Sequence, residues 1–167
     1  MRPDRDAGGA RILRELPAPD ILVNCAGGNR PKPFLELGDE HLSWSWQVNV
    51  VAALTAAQEV ARRMVADGRG GAIVTVTSQM GHVGGRDRTA YCAAKHALEG
   101  ASKAMAPGAP HRIRVNTVAP TFVETGMTRP FLADEEFRGA VVASIPLGRL
   151  RLAADNRRGA ADQRYFG

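Results

Sequence analysis

Ala72-Ile73-Val74-Thr75-Val76-Thr77-Ser78 and, a loop later, Thr89-Ala90-Tyr91-Cys92-Ala93-Ala94-Lys95-His96-Ala97-Leu98-Glu99-Gly100 are the stretches that decide the fold. The first is a short, strand-like run rich in β-branched residues. Ser78 stands at its end. The second lacks β-branched residues after Thr89 and reads as a helix to about Ala106. Tyr91 and Lys95 are four apart, so they share one helix face with Cβ atoms about 6 Å apart. A serine, a tyrosine and a lysine so placed make a proton-transfer site for a hydroxyl or a carbonyl. A free phenol titrates near pH 10, and bringing it to roughly 7 takes about 4 kcal/mol of differential stabilisation. The Lys95 ammonium is expected to supply part of that. With Thr89 as the N-cap, Tyr91 falls in the first turn, where the helix dipole adds more. The plainer reading is an amphipathic helix with a half-buried tyrosine and a solvated lysine.

Working outward, Ile21-Leu22-Val23 is a second apolar strand, followed by Asn24-Cys25-Ala26-Gly27 and a loop to Gly38 containing Pro31 and Pro33. Asp39 is placed to cap a long helix to about Ala66, stopped by Asp67-Gly68. Its expected buried stripe is Leu42, Val48, Val51, Leu54, Ala57 and Val60, which recur at helical spacing. Ile113 to Val118 reads as a third strand, and residues 121–145 as an extension with a short helix near 134–144. Residues 1–10 read as loose, and 10–16 as a helix remnant stopped by Pro17 and Pro19. Strand, helix, strand, helix, strand is half of a doubly wound α/β sheet.

The order Asn24-Cys25-Ala26-Gly27, Asn49, Ser78, Tyr91, Lys95, then Arg114-Val115-Asn116-Thr117-Val118-Ala119-Pro120-Thr121 resembles the short-chain dehydrogenase/reductase superfamily, Rossmann-fold oxidoreductases that use NAD or NADP. The likeness runs from about Asp20 to Leu150. It implies Tyr91 as acid/base and Lys95 as the residue that tunes the phenol and binds the nicotinamide ribose. It also implies Ser78 as the holder of the substrate oxygen, and Asn49 as part of a water-linked proton relay. Asn24, Ala26 and Gly27 match a turn beneath the adenosine side of the cofactor, with Cys25 where a second asparagine is usual. Pro120 matches the proline of a Pro-Gly pair whose glycine is here Thr121. Val123 and Thr125 match contacts to the carboxamide and phosphates. The implied substrate is a small alcohol or ketone of sugar, polyol or 3-oxoacyl type, with residues 121–145 closing over it. Gln79 and His82 are read as loop polar residues with a possible substrate contact as the alternative. The helices over 39–66 and 89–106 are the implied association surface, with Trp44 and Trp46 as candidates for a second apolar stripe.

Two departures qualify the likeness. The family's first strand, glycine-rich phosphate loop and following βα units have no counterpart before Asn24, and Gly8-Gly9 follows no strand. The expected fold is thus a partial Rossmann fold, a doubly wound parallel sheet lacking its first βαβαβ half and truncated at the N-terminus. It divides into a loose segment 1–19, the catalytic part 20–150, and an aberrant or disordered tail 151–167. Pro107 and Gly108 are expected to end the second long helix early. Three strands would leave an apolar edge at Ile21–Val23 unpaired. The alternative function is a catalytically silent fragment acting only through helix association.

Charge excludes other classes. The net charge is +5, yet residues 17–148 carry thirteen basic and twelve acidic groups, and the last nineteen residues five arginines against two aspartates. That distribution, with little aromatic interleaving, argues against a nucleic-acid surface. No apolar run reaches the roughly eighteen residues that cross a bilayer, and Met1-Arg2-Pro3-Asp4 lacks a signal-peptide core. Cys25 and Cys92 suggest no disulfide framework, and a reduced cytoplasm is the expected setting. No metal ligand set is read.

Overall fold

The computed structural model describes residues 17, 19–108, 112–126 and 128–152. The loose N-terminal segment, the helix remnant over 10–16, Gly8-Gly9 and most of the expected tail lie outside the described residues. Two units divide the chain, residues 1–119 and 120–167.

In the first unit, strands β1 (Ile21–Asn24), β2 (Gly71–Val76) and β3 (Ile113–Val118) form one parallel sheet in that order. The register sets Val23 beside Val74 and Thr75 beside Thr117. Helix α1 (Asp39–Trp46) passes through a π-helical turn (Gln47–Val51) into α2 (Ala52–Asp67). Gly38 is the N-cap, and Asp39 is the first helical residue without a side-chain capping bond. Gly68 closes α2 with φ 73°, the left-handed conformation that glycine adopts at no steric cost. Helix α3 runs Thr89–Gly108, so Thr89 opens it from within and Pro107 lies inside its last turn.

The core packs Ala57, Val60 and Met64 of α2 against Ile73, Ile113 and Val115 of the sheet. This corrects the expected stripe. Along the helix the buried residues are Ser45, Asn49, Val50, Ala53, Ala57, Val60 and Met64. Leu42 is 46% exposed, and Val48, Val51 and Leu54 are only half-buried. Small side chains let α1 and α2 approach their neighbours closely, which leaves the larger ones on a second stripe. On β1, Leu22 packs on the core and Asn24 reaches Ala53. Strand alternation then turns Ile21 and Val23, 63% and 49% exposed, to the opposite face. The apolar exposure anticipated for β1 is thus on a sheet face as well as along an edge. An apolar cavity of about 690 Å³ lies between α2, α3 and the sheet, lined by Leu54, Ala57, Ala61, Met105, Ile113 and Val115. None of the site residues lines it.

The second unit contains α4 (Arg129–Leu132), α5 (Glu135–Ala143) and a parallel pair of two-residue strands, β4 (Val123–Glu124) with β5 (Arg151–Leu152). Asp134 caps α5 by accepting from the Phe137 amide at 3.1 Å, as its position before Glu135-Glu136 suggests. Leu132, Val141 and Leu150 form its core, with Phe122 edge-on to Phe137 at 5.7 Å. The β4–β5 pairing was not anticipated, because two-residue strands leave no periodicity to read.

Candidate active site

The first unit brings Ser78, Tyr91, Lys95 and Asn49 to the C-terminal ends of the parallel strands, where open α/β sheets bind ligands. Ser78 follows β2 and caps the short turn Gln79–Gly81, accepting from the Met80 amide at 3.2 Å. Tyr91 and Lys95 leave α3 one turn apart, with the lysine Nζ 5.6 Å from the tyrosine ring centroid. Lys95 is buried, and its ammonium donates to the Val76 carbonyl at 3.0 Å, at the last residue of β2. The helical spacing and the strand end therefore converge as the residue order implies.

Electrostatics differ from expectation. Burial pushes the Tyr91 phenol above its ordinary pKa and Cys92 adds to that, whereas a side-chain hydrogen bond with Ser78 and the Arg88 guanidinium pull it down. The net direction is up, and the Lys95 ammonium is not among the causes. Lys95 is itself lowered by burial, partly offset by Cys25 and Glu99. Desolvation outweighs the charge–charge help that an exposed helix face would show. It follows that Lys95→Met, close in shape and without the buried charge, should leave folding stability equal or higher near neutral pH. The sign is set by the depressed lysine pKa: the unfolded chain binds that proton more readily, so the charge costs folding free energy below the folded pKa. Paired urea melts of the two chains measure it, and a lower midpoint for the variant contradicts it.

Asn49 is fully buried in the π-turn. Its Oδ1 accepts from the Gly28 amide at 3.1 Å, and its Nδ2 donates to the carbonyls of Gly28 and Ser45, each at 3.0 Å. The side chain therefore clamps the turn after β1. A Cβ on Gly27 would stand 2.9 Å from Asn49 Oδ1 and 3.6 Å from Lys95 Nζ, so only glycine leaves this floor open beside the lysine. Cys25, Ala26 and Gly27 are exposed, and Asn24 is tied inward by Nδ2, which donates to the Ala53 carbonyl at 3.2 Å. Asn49→Ala strands the Gly28 amide and carbonyl; a buried unsatisfied group costs about 1–3 kcal/mol. A drop of about 2–4 kcal/mol in the urea-extrapolated stability is the expected result, and a loss under about 0.5 kcal/mol would show the clamp to be dispensable.

Small, exposed turn residues and, on the neighbouring helix and strand end, an amine, a phenol and a hydroxyl fit a dinucleotide: Lys95 and Tyr91 offer donors for ribose hydroxyls, and Ala26 and Gly27 project nothing that would block a flat ligand. In the second unit, Val123 is buried, and its carbonyl accepts from the Thr128 hydroxyl at 2.6 Å. The Thr125 amide donates to the same hydroxyl at 2.9 Å. Pro120 lies half-buried at the start of that unit. Thr128 thus shapes the segment carrying Val123 and Thr125, a role that residue matching missed.

Glu99, Thr77 and Thr117 were also missed. Glu99 is 6% exposed and accepts from Thr77 Oγ1 at 2.5 Å and Thr117 Oγ1 at 2.9 Å. His82, given above as loop filler or substrate contact, has Nε2 3.3 Å from the Glu99 carboxylate. The available signal was the spacing Tyr91, Lys95, Glu99, three polar residues in step on one face.

Residues 4–136 match the short chain dehydrogenase family, and the chain belongs to it. Over 131 residues it is 44% identical to the D-erythrulose reductase of Gallus gallus, covering 78% of this chain and 53% of that protein. It is 39% identical over 140 residues to the L-xylulose reductase of Homo sapiens, covering 83% and 57%. Among solved structures, a gluconate 5-dehydrogenase from Burkholderia cenocepacia in complex with NADP and tartrate superimposes with a TM-score of 0.86 at 29% identity, covering 93% of this chain and 62% of that one. The chain spans about half the length of the curated relatives it matches. Among the described residues no helix is long and apolar enough to cross a membrane.

Proposed function

We propose that Tyr91, Ser78, Lys95 and Asn49 form the proton-transfer site of an NAD(P)-dependent oxidoreductase that interconverts a small sugar or polyol alcohol and its ketone. The geometry that carries the reading is the half-buried Tyr91 one helical turn from a buried lysine, whose ammonium lies 5.6 Å from the phenol ring and holds the end of the strand that leads to Ser78. The names of the relatives, reductases of erythrulose and xylulose and a dehydrogenase of gluconate, support a polyhydroxylated substrate. NAD or NADP, when bound, supplies or takes up the hydride at the substrate carbon. Tyr91 gives the substrate oxygen its proton during reduction and removes it during oxidation. Ser78 donates to the same oxygen and orients it. Lys95 holds the cofactor ribose beside the phenol, and Asn49 fixes the turn on which the cofactor rests. Asn24, Ala26 and Gly27 line the adenosine side of that turn.

The raised Tyr91 pKa gives the direction of the pH dependence. A phenol protonated at neutral pH is already the acid that carbonyl reduction needs, so reduction should be flat around pH 7 and fall in alkali. Oxidation needs the anion and should rise in alkali. Opposite slopes in the two initial-rate profiles check this; parallel ones contradict it. The purified chain tests the reading as a whole, mixed with NADPH or NADH and L-xylulose or D-erythrulose, following loss of reduced nicotinamide absorbance. No consumption, together with no change in dinucleotide fluorescence on titration, would overturn it for this polypeptide.

Self-association through the helices over 39–66 and 89–106 belongs to the same proposal. Leu42 and Trp46, 46% and 47% exposed, form an apolar stripe apart from the one facing the core. Sedimentation velocity should show a dimer that Trp46→Glu converts to monomer.

A further inference from the structure

We infer that Glu99 is a positioning residue for the lysine of the site: its carboxylate, anchored by one hydroxyl just past β2 and one from β3, pins α3 to the sheet one turn beyond Lys95. The inference rests on the oxidoreductase reading for its consequence in turnover, and on geometry for its substance. Thr77 follows β2 and Thr117 lies in β3, and each donates to a different oxygen of the same carboxylate. Thr77 is further fixed because its amide donates to the Val118 carbonyl at 2.8 Å. One side chain of α3 is thereby tied to both strands whose ends carry the site. On the loop side, a Cβ on Gly81 would meet Glu99 Cγ and the Lys95 carbonyl oxygen, each at 3.1 Å, so the turn after Ser78 rests directly on this part of α3. Moving Glu99 would therefore disturb Ser78 and Lys95 together.

Two hydroxyl donors and a ring nitrogen converge on acceptors only, which suits a charged carboxylate. A burial this deep is expensive for a charge unless such donors surround it. The titratable group that faces the carboxylate is His82 from the loop after β2; Lys95, one turn earlier on the same helix, feels both Glu99 and Cys25 from the turn after β1, whereas Thr77 after β2 and Thr117 in β3 present hydroxyls. The Glu99 charge works against the burial that lowers Lys95. A lysine that lost this support would spend more of its time neutral and would bind a ribose less firmly.

The test reads the lysine itself. The chain has only Lys32, Lys95 and Lys103, so 15N-lysine side-chain NMR with Lys95→Met for assignment follows the Lys95 titration in the full chain without any substrate. Glu99→Gln keeps the shape and removes the charge. The expected results are a Lys95 midpoint moved to lower pH, with the other two lysines unmoved, and a kcat about 10- to 100-fold lower with KM changed less. Glu99→Asp, which restores the charge, should return the midpoint most of the way. An unmoved Lys95 titration in folded Glu99→Gln overturns the inference. Should that variant not fold, isosteric Thr117→Val carries the test: freeing one oxygen lets the carboxylate swing away, and the midpoint must move the same way by a smaller step. No movement there overturns the anchoring. Because the titration needs no turnover, it separates failure of this inference from failure of the oxidoreductase reading.

Discussion

Tyr91→Phe should lower turnover about 100- to 10,000-fold, the range that a single positioned acid or base supplies, while leaving the fold in place. The ring is retained, so the contacts of α3 survive and only the hydroxyl is lost. Ser78 keeps the bond from the Met80 amide. The variant should therefore melt within about 1 kcal/mol of the parent, since a hydroxyl partnered by one hydrogen bond is worth roughly that. Dinucleotide affinity should fall only by the loss of one ribose donor, because the Lys95 amine remains in place on the Val76 carbonyl. The decisive combination is near-native unfolding, retained NADPH binding and lost reduction. Turnover within a factor of about three of the parent would remove Tyr91 from the chemistry.

The largest stability effect is expected at Met64→Ala, a loss of about 2–5 kcal/mol out of the 5–15 that a domain normally has. Met64 is 1% exposed and sits at the centre of the cluster with Val60, Ile73 and Ile113. A Cβ on Gly71 would lie 2.6 Å from its Cε and 2.8 Å from the Asp20 carbonyl oxygen, so the thioether fills the space that the glycine leaves at the start of β2. Truncation opens a cavity that the backbone around Gly71 has little freedom to close. A lower urea midpoint with an unchanged slope is the expected signature. An equal midpoint would mean that the adjoining cavity beside Met105 already lets this core relax.

How much of this was open to reading depends on range. Ser78, Tyr91 and Lys95 were legible because a strand end and a one-turn helical spacing are local facts. The three strands were legible for the same reason, each within two residues of its observed bounds. The direction of the Tyr91 pKa was not: it is set by burial in the folded chain, and spacing along α3 carries no trace of it. Asn49 could be placed on a helix but not in the grip of Gly28, twenty-one residues earlier. Glu99 was quoted in the opening stretch and passed over, since a glutamate on a helix is ordinarily solvated. Its two threonine donors come from residues twenty-two before and eighteen after it. On the first long helix Ala57 and Val60 are buried as read, but the earlier part of the stripe differs because of an irregular turn that a fixed period cannot represent.

That wide turn over Gln47–Val51 has a consequence for the whole rod. Ser45, Asn49, Ala53 and Ala57 are all buried, at steps of four. In an unbroken α-helix each such step precesses by about 40°, so the last would face about 120° away from the first. One extra residue in the coil returns about 100° of that drift and brings polar Ser45 and Asn49 back into phase with the apolar residues below. Deleting a single residue there would rotate the two halves against each other, so that either the clamp or the core would look out into water.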